Sequence, residues 1–284
     1  MPSSVKELVE LLDLEFIEDN LFRGRQPHTI LQRVFGGQVL AQSLVAAIRT
    51  VPEPFACHSL HSYFLRPGDT KVPIIYDVES IRDGRSFCTR RVAGRQHGRP
   101  IFYLTANFQV PEAGLEHQDR MPDVPGPDEC APIRARHNLD GEDWLREWAA
   151  LEVRPVADSG PAGTLDATDH PARSQYWIRA SEPLPDDPLI QLATFTYASD
   201  MTLLSGTLVP HEPAIGSPEM QAASLDHSIW FHRSFRADEW WLYDQVSPSA
   251  AAGRGFAIAR VFSQDGLLVA SVAQEGLIRT VEAH

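Results

Sequence analysis

The sequence predicts an α+β fold made of two tandem copies of one unit, a central helix followed by an antiparallel meander. Three observations carry this expectation. The first is internal repetition: His61-Ser62-Tyr63-Phe64 returns as His227-Ser228-Ile229-Trp230, Tyr76-Asp77 as Tyr243-Asp244, and Gly84-Arg85-Ser86-Phe87 as Gly253-Arg254-Gly255-Phe256. Arg91-Val92 likewise returns as Arg260-Val261, and Gly98 as Gly266. Each match lies about 166–169 residues further on, and ordered matches at a nearly constant offset mark a duplication. The second is one apolar helical stretch per copy. The third is the set of four β-rich runs that follows each helix.

In the first copy a short segment from Phe16 to Arg23 precedes a helix over Gly36–Val51, where Val39, Leu40, Leu44, Val45 and Ile48 keep the helical period. Strand-like runs follow at roughly 58–65, 73–82, 86–95 and 100–110, punctuated by Pro67-Gly68-Asp69, Asp83-Gly84 and His97-Gly98. The second copy has a helix from about Asp187 to Leu204, with Asp187 as N-cap and Pro188 in the first turn. Its strands fall at roughly 225–233, 239–247, 254–263 and 267–276, with Asp265-Gly266 as the last hairpin turn. Each sheet should wrap its helix, and the two sheets should join edge to edge, hiding an open strand edge. The division expected is an N-terminal unit over 1–110, a Pro- and acid-rich linker over 111–150 with a short helix at Glu142–Ala149, and a C-terminal unit over 151–284.

Composition narrows the function. A net charge of -13 argues against a nucleic-acid partner, which needs a basic face. Cys57, Cys88 and Cys130 have no C-x-x-C spacing and read as reduced thiols, with no metal cluster implied. No secretory leader is visible over Met1–Asn20, and no run approaches the roughly 20 apolar residues of a membrane helix. Glu282-Ala283-His284 is not a peroxisomal address of the Ser-Lys-Leu type, so the expected compartment is the cytoplasm.

The sharpest candidate is Asp200. From Pro188 through Pro210 it is the one formally charged residue, among Leu192, Ala193, Thr196, Tyr197, Leu203 and Leu204. A helix apolar on nearly every side is buried, and a lone buried carboxylate costs several kcal/mol unless bonded or hydrated. It therefore marks a functional site, the competing reading being a helix-end cap. Gln274, aligned with Ala106 of the first copy, shares strand parity with Leu268, Ala270 and Val272, so its amide lies on an apolar face. Ser224 stands just before a strand, where serine is usually a turn residue. Asp226-His227-Ser228 cannot form a triad, because consecutive strand residues point to opposite faces, and no G-x-S-x-G elbow exists. His58 and His61 read as sheet histidines. Arg90, Arg91, Arg95 and Arg99 read as a solvated hairpin, with phosphate binding as the alternative.

The segments Val34-Phe35-Gly36-Gly37-Gln38, His61 to Gly68 (HSYFLRPG), Ile75-Tyr76-Asp77-Val78 and Asp226 to Arg233 (DHSIWFHR) resemble those of the acyl-coenzyme A thioesterase II family, from about Val5 to Arg279. The resemblance implies a double hot-dog fold and an active site of Asp, Thr or Ser, and Gln in the second copy. On the matching motifs these fall at Asp200, Ser224 and Gln274, with serine where bacterial members commonly carry threonine. Serine keeps the hydroxyl but loses the methyl that fixes its rotamer.

The implied activity is hydrolysis of fatty-acyl-CoA by an activated water, with no cofactor, no metal and a homo-oligomeric assembly, dimer or tetramer. The first copy would serve as a structural half. Two alternatives remain open at this stage. An enoyl-CoA hydratase or dehydratase needs a histidine beside the acid, and none shares the helix of Asp200. A non-catalytic acyl-CoA binding module would keep the pocket without turnover.

Overall fold

The computed structural model describes residues 1–133, 147–211 and 214–281. Helix α1 (Val5–Leu12) and the short strands β1 (Glu15–Glu18) and β2 (Leu21–Gly24) precede α2 (Gly36–Ile48). The first meander is β3 (Ala56–Phe64), β4 (Ile74–Asp83), β5 (Phe87–Gln96) and β6 (Arg99–Gln109). The second half holds β7 (Leu151–Asp158), β8 (Arg173–Ala180), α3 (Pro188–Ser199), a 3-10 turn at Leu204–Leu208 and β9 (Met220–Ser224). Its meander is β10 (Asp226–Phe231), β11 (Trp241–Ala251), β12 (Arg254–Ser263) and β13 (Leu268–Thr280). The short helix expected at Glu142–Ala149 falls largely outside the described residues. Among those described, no helix is long and apolar enough to cross a membrane.

All strands form one antiparallel sheet, ordered β1-β2-β4-β5-β6-β3-β10-β13-β12-β11-β8-β7, with β9 paired to the far end of β13. The halves therefore join edge to edge at β3–β10, as expected. In that pairing Leu60 faces Ile229, His61 faces Ser228 and Ser62 faces His227. The register is self-complementary about His61/Ser228 when the copies are offset by 167 (227 − 60 and 229 − 62). The sequence match His61/His227 is thus one residue out of phase. His61 is exposed, whereas His227 is fully buried on the inner face.

Helices α2 and α3 lie against each other inside the sheet, in the main core cluster. Every residue of α2 from Gly37 to Ala47 is buried, more than an amphipathic period implies. The polar stripe is enclosed because the N-terminal segment supplies partners. Gln42 donates to the Leu11 carbonyl at 2.7 Å and accepts from the Tyr76 hydroxyl at 2.7 Å, and Gln38 donates to Gln26. The stretch from Gln118 to Val124, after β6, is likewise held rather than loose. Gln118 bonds the β12–β13 hairpin at Gly266 and Leu268, and Met121 and Val124 pack with Trp177, Trp240, Leu242 and Phe262 in a second core.

Helix α3 stops at Ser199, five residues before the expected Leu204. The Ser199 hydroxyl bonds back to the Thr196 carbonyl at 2.9 Å, a contact that bends a helix, and the chain tightens into the 3-10 turn. That turn rests on paired glycines, Gly255 and Gly276, opposite each other on β12 and β13. A Cβ on Gly276 would strike the Leu204 methyls, and one on Gly255 would sit 2.6 Å from Thr207 Cβ. Gly276→Val, although valine favours strands, is therefore expected to cost about 1–3 kcal/mol by overpacking. Urea unfolding followed by tryptophan fluorescence measures it, and an unchanged midpoint would contradict the packing described.

Candidate active site

Asp200 caps the C-terminal end of α3, and its side chain is only 4% exposed. Asp187 holds the other end, accepting from the Leu189 amide at 2.9 Å. A carboxylate at a helix C-terminus faces the negative end of the dipole and gains nothing from its own helix. Its compensation comes from α2, whose N-terminus abuts the end of α3. Glycines permit this approach: a Cβ on Gly37 would overlap the Tyr197 carbonyl, and one on Gly36 would lie 2.5 Å from Asp200 Oδ2. The Gly37 amide hydrogen-bonds the carboxylate, a donor at the positive end of a helix.

The other donors are side chains. Gln274 Nε2 donates to Asp200 Oδ1 at 2.5 Å and to Ser224 Oγ at 3.0 Å, and Ser224 Oγ lies 3.4 Å from the same carboxylate oxygen. Ser224 ends β9, a strand the sequence did not announce, opposite Gly276 of β13. Gln274 is fully buried and faces inward with Ala270 and Val272, as alternation implies. Burial pushes the Asp200 carboxyl up to about 6, although Gln274, the Gly37 amide and Ser224 each pull it down. A carboxyl with that proton affinity ionises near neutrality and can both take and return a proton.

Asp200 and Ser224 form part of the wall of a cavity of about 540 Å³, within the range of small-molecule sites. Both halves line it: Phe35, Phe64 and Ile101 from the first, Leu204, Ala223 and Leu225 from the second. A cleft of about 600 Å³ beside Met1, Glu7 and His28 contains none of the three candidates.

His227 enters this group from β10, a residue that the sequence reading set aside. Its Nδ1 lies 3.7 Å from Asp200 Oδ1, and its Nε2 lies 2.9 Å from Ser199 Oγ. Alternation along β10 carried the signal, since His227 shares parity with buried Ile229. The arginine run reads differently from a phosphate cradle. Arg91 pairs with Glu79, Arg95 lies 3.7 Å from Asp77, and Arg90 is buried and paired with Asp83.

Arg90 also explains why the halves differ. On the inner face Arg90 lies opposite Ala106, whereas the corresponding pair of the second half is Ala257 opposite Gln274. Large and small residues have exchanged strands. The Arg90 guanidinium donates to Thr50 Oγ1 at 3.1 Å and to the Thr50 carbonyl at 3.2 Å, just beyond the end of α2.

Comparison with known proteins agrees with this architecture. A family profile described as "Acyl-CoA thioesterase" matches residues 151–277, and one described as "Acyl-CoA thioesterase N-terminal domain" matches 25–109. The chain is 42% identical to acyl-CoA thioesterase 2 of Haemophilus influenzae, over 99% of this chain and 100% of that one. The crystal structure of an acyl-CoA thioesterase II from Mycobacterium marinum superposes with a TM-score of 0.84 at 44% identity, covering 97% of this chain and 99% of that one. A hot-dog protein from Alicyclobacillus acidocaldarius, 20% identical, shares the fold with a TM-score of 0.78, covering 97% of this chain and 99% of that one. With two helices held inside one continuous antiparallel sheet and matches spanning both halves, the chain belongs to the acyl-CoA thioesterase family and has a double hot-dog fold.

Proposed function

We propose that this chain hydrolyses fatty-acyl-CoA to the free fatty acid and coenzyme A, with Asp200 as the base. The observation that carries this reading is one buried carboxyl, bonded by Gln274, Ser224 and the Gly37 amide, on the wall of a largely apolar cavity. Gln274 and Ser224 bond Oδ1, and Oδ2, beside Gly36 of the cavity wall, receives the proton from water. The water oxygen attacks the thioester carbonyl as its proton passes to Asp200. The tetrahedral oxyanion is borne by the Gly36 amide at the start of α2, on the cavity wall; the Gly37 amide serves the carboxylate, and those of Gln38 and Val39 turn back to the Phe35 carbonyl. The C–S bond then breaks, and Asp200 returns the proton to the departing thiolate. Ser224 and Gln274 hold the water and the carboxyl in line.

The hydratase alternative is weakened on new grounds. A histidine does stand beside Asp200, but it is fully buried behind the carboxyl and lines no part of the cavity. It cannot reach a substrate carbon. A cytoplasmic location and a dimeric or tetrameric assembly belong to the same proposal, as does a division into a structural unit over 1–110, a linker over 111–150 and a catalytic unit over 151–284.

The test is release of free thiol from palmitoyl-CoA across pH. Because the base must be ionised, kcat/KM is expected to fall on the acid side with a midpoint near pH 6, about two units above an ordinary aspartate. A limb near pH 4 would contradict a desolvated carboxyl as the base. Tight binding with no thiol released would favour the binding module.

A further inference from the structure

The buried pair His227 and Ser199 has no part in the chemistry above, yet it touches the proposed base. The Ser199 hydroxyl has one proton, and it points to the Thr196 carbonyl at 2.9 Å. The 2.9 Å contact between Ser199 Oγ and His227 Nε2 must then carry its hydrogen on the ring nitrogen. A neutral imidazole has one N–H, so Nδ1 is a bare lone pair. It is buried without a hydrogen-bond partner, 3.7 Å from Asp200 Oδ1.

We propose that His227 is a positioning residue for Asp200, its bare Nδ1 lone pair, 3.7 Å from Oδ1, disfavouring the ionised carboxylate. The serine fixes the tautomer, and the tautomer holds the proton affinity of the base up. The effect requires a ring that stays uncharged, and burial pushes His227 down to about 3. Among the described residues, nothing charged competes nearby. The other titratable groups around Asp200 are Tyr197 of α3 and Tyr243 of β11, both buried and raised well above the usual phenol range. The remaining neighbours, the Gly37 amide, Ser224 and Gln274, are neutral. Arg33 and Arg66 line the cavity, donating to the Ala222 and Pro100 carbonyls, and Glu147 is bonded to the Met1 ammonium.

This inference rests on Asp200 as the base only for its effect on rate; the proton coupling is measurable without catalysis. The experiment is a 13C NMR titration of the Asp200 carboxyl in the full chain, beside the pH profile of thiol release from palmitoyl-CoA. His227→Gln places an amide where Nε2 was, keeping the bond to Ser199 and deleting the lone pair. The carboxyl midpoint is expected to fall by about half a pH unit or more. The acid limb of kcat/KM should fall with it, with kcat lower by up to about threefold for each half unit and KM within about twofold. His227→Asn puts an amide oxygen near the Nδ1 position and should keep the midpoint near that of the wild type. Ser199→Ala frees the tautomer to place its N–H toward Asp200, and should also lower the midpoint. It serves if His227→Gln does not fold. A midpoint that stays or rises in His227→Gln or Ser199→Ala overturns the proposal. An NMR shift without a matching shift of the rate limb would instead sink Asp200 as the base.

Discussion

At pH 7.5, Asp200→Asn is expected to release thiol from palmitoyl-CoA at least about a hundredfold more slowly than the wild type, and to unfold at a higher temperature. Both effects have one cause. The amide cannot take a proton from water, so the attacking nucleophile is lost. The amide also removes a carboxylate that burial disfavours. The sign follows from the direction of the shift, since the folded carboxyl ionises at about 6 and an ordinary one at 3.8. Between those values the unfolded chain has released the proton and the folded chain has not. Wild-type stability therefore declines as pH rises from about 4 to 6, by up to about 3 kcal/mol at 1.36 kcal/mol per pH unit. The variant has no such loss. A melting-temperature difference that is large at pH 7.5 and closes near pH 4 is the expected record. A variant that melts below the wild type at pH 7.5 would contradict a desolvated carboxylate here.

Gly36→Val is expected to lower kcat/KM by about a hundredfold, through shape rather than charge. The new Cβ would lie 2.5 Å from Asp200 Oδ2 and 2.9 Å from a Phe64 ring carbon. Neither can yield freely, because Asp200 is fixed by Gln274 and Phe64 packs against Phe102. The start of α2 must withdraw from the end of α3, taking with it the Gly36 amide proposed to bear the oxyanion and the Gly37 amide that bonds the carboxylate. Far-UV circular dichroism should remain that of the wild type, since α2 keeps its buried body. Retention of full activity would mean that the approach of the two helix ends is irrelevant to turnover.

Much of this fold was legible in the sequence, for reasons tied to particular residues. Helix α2 stood out by the helical period of Val39, Leu40, Leu44, Val45 and Ile48, α3 because it is apolar on nearly all sides, and the meanders because turn residues such as Asp265-Gly266 separate β-branched runs. Strand β8 was not visible. It is buried on both faces, with α3 inside and the linker residues Met121 and Val124 outside, so Arg173–Ala180 shows no alternation. The end of α3 was hidden because no glycine or proline stops it; a serine back-bond does. Asp200 and Gln274 showed as polar residues in apolar settings, and the structure brings them together with Ser224. His227 was set aside with Asp226 and Ser228 because consecutive strand residues face opposite ways, yet the same alternation turns it inward with Ile229. Backbone amides have no letter in a sequence, so only Gly36-Gly37 hinted at the helix end that faces the carboxyl.

The exchange of Arg90/Ala106 for Ala257/Gln274 has a consequence for stoichiometry. No single replacement can reinstate a second centre: Ala106→Gln would drive an amide into a guanidinium already committed to Thr50 and Asp83, and removing Arg90 would strip those groups of their donor. With the proposed centre in the second half alone, each polypeptide would turn over one substrate at a time, and titration with a non-hydrolysable acyl-CoA analogue should saturate at one equivalent per chain, however many chains assemble.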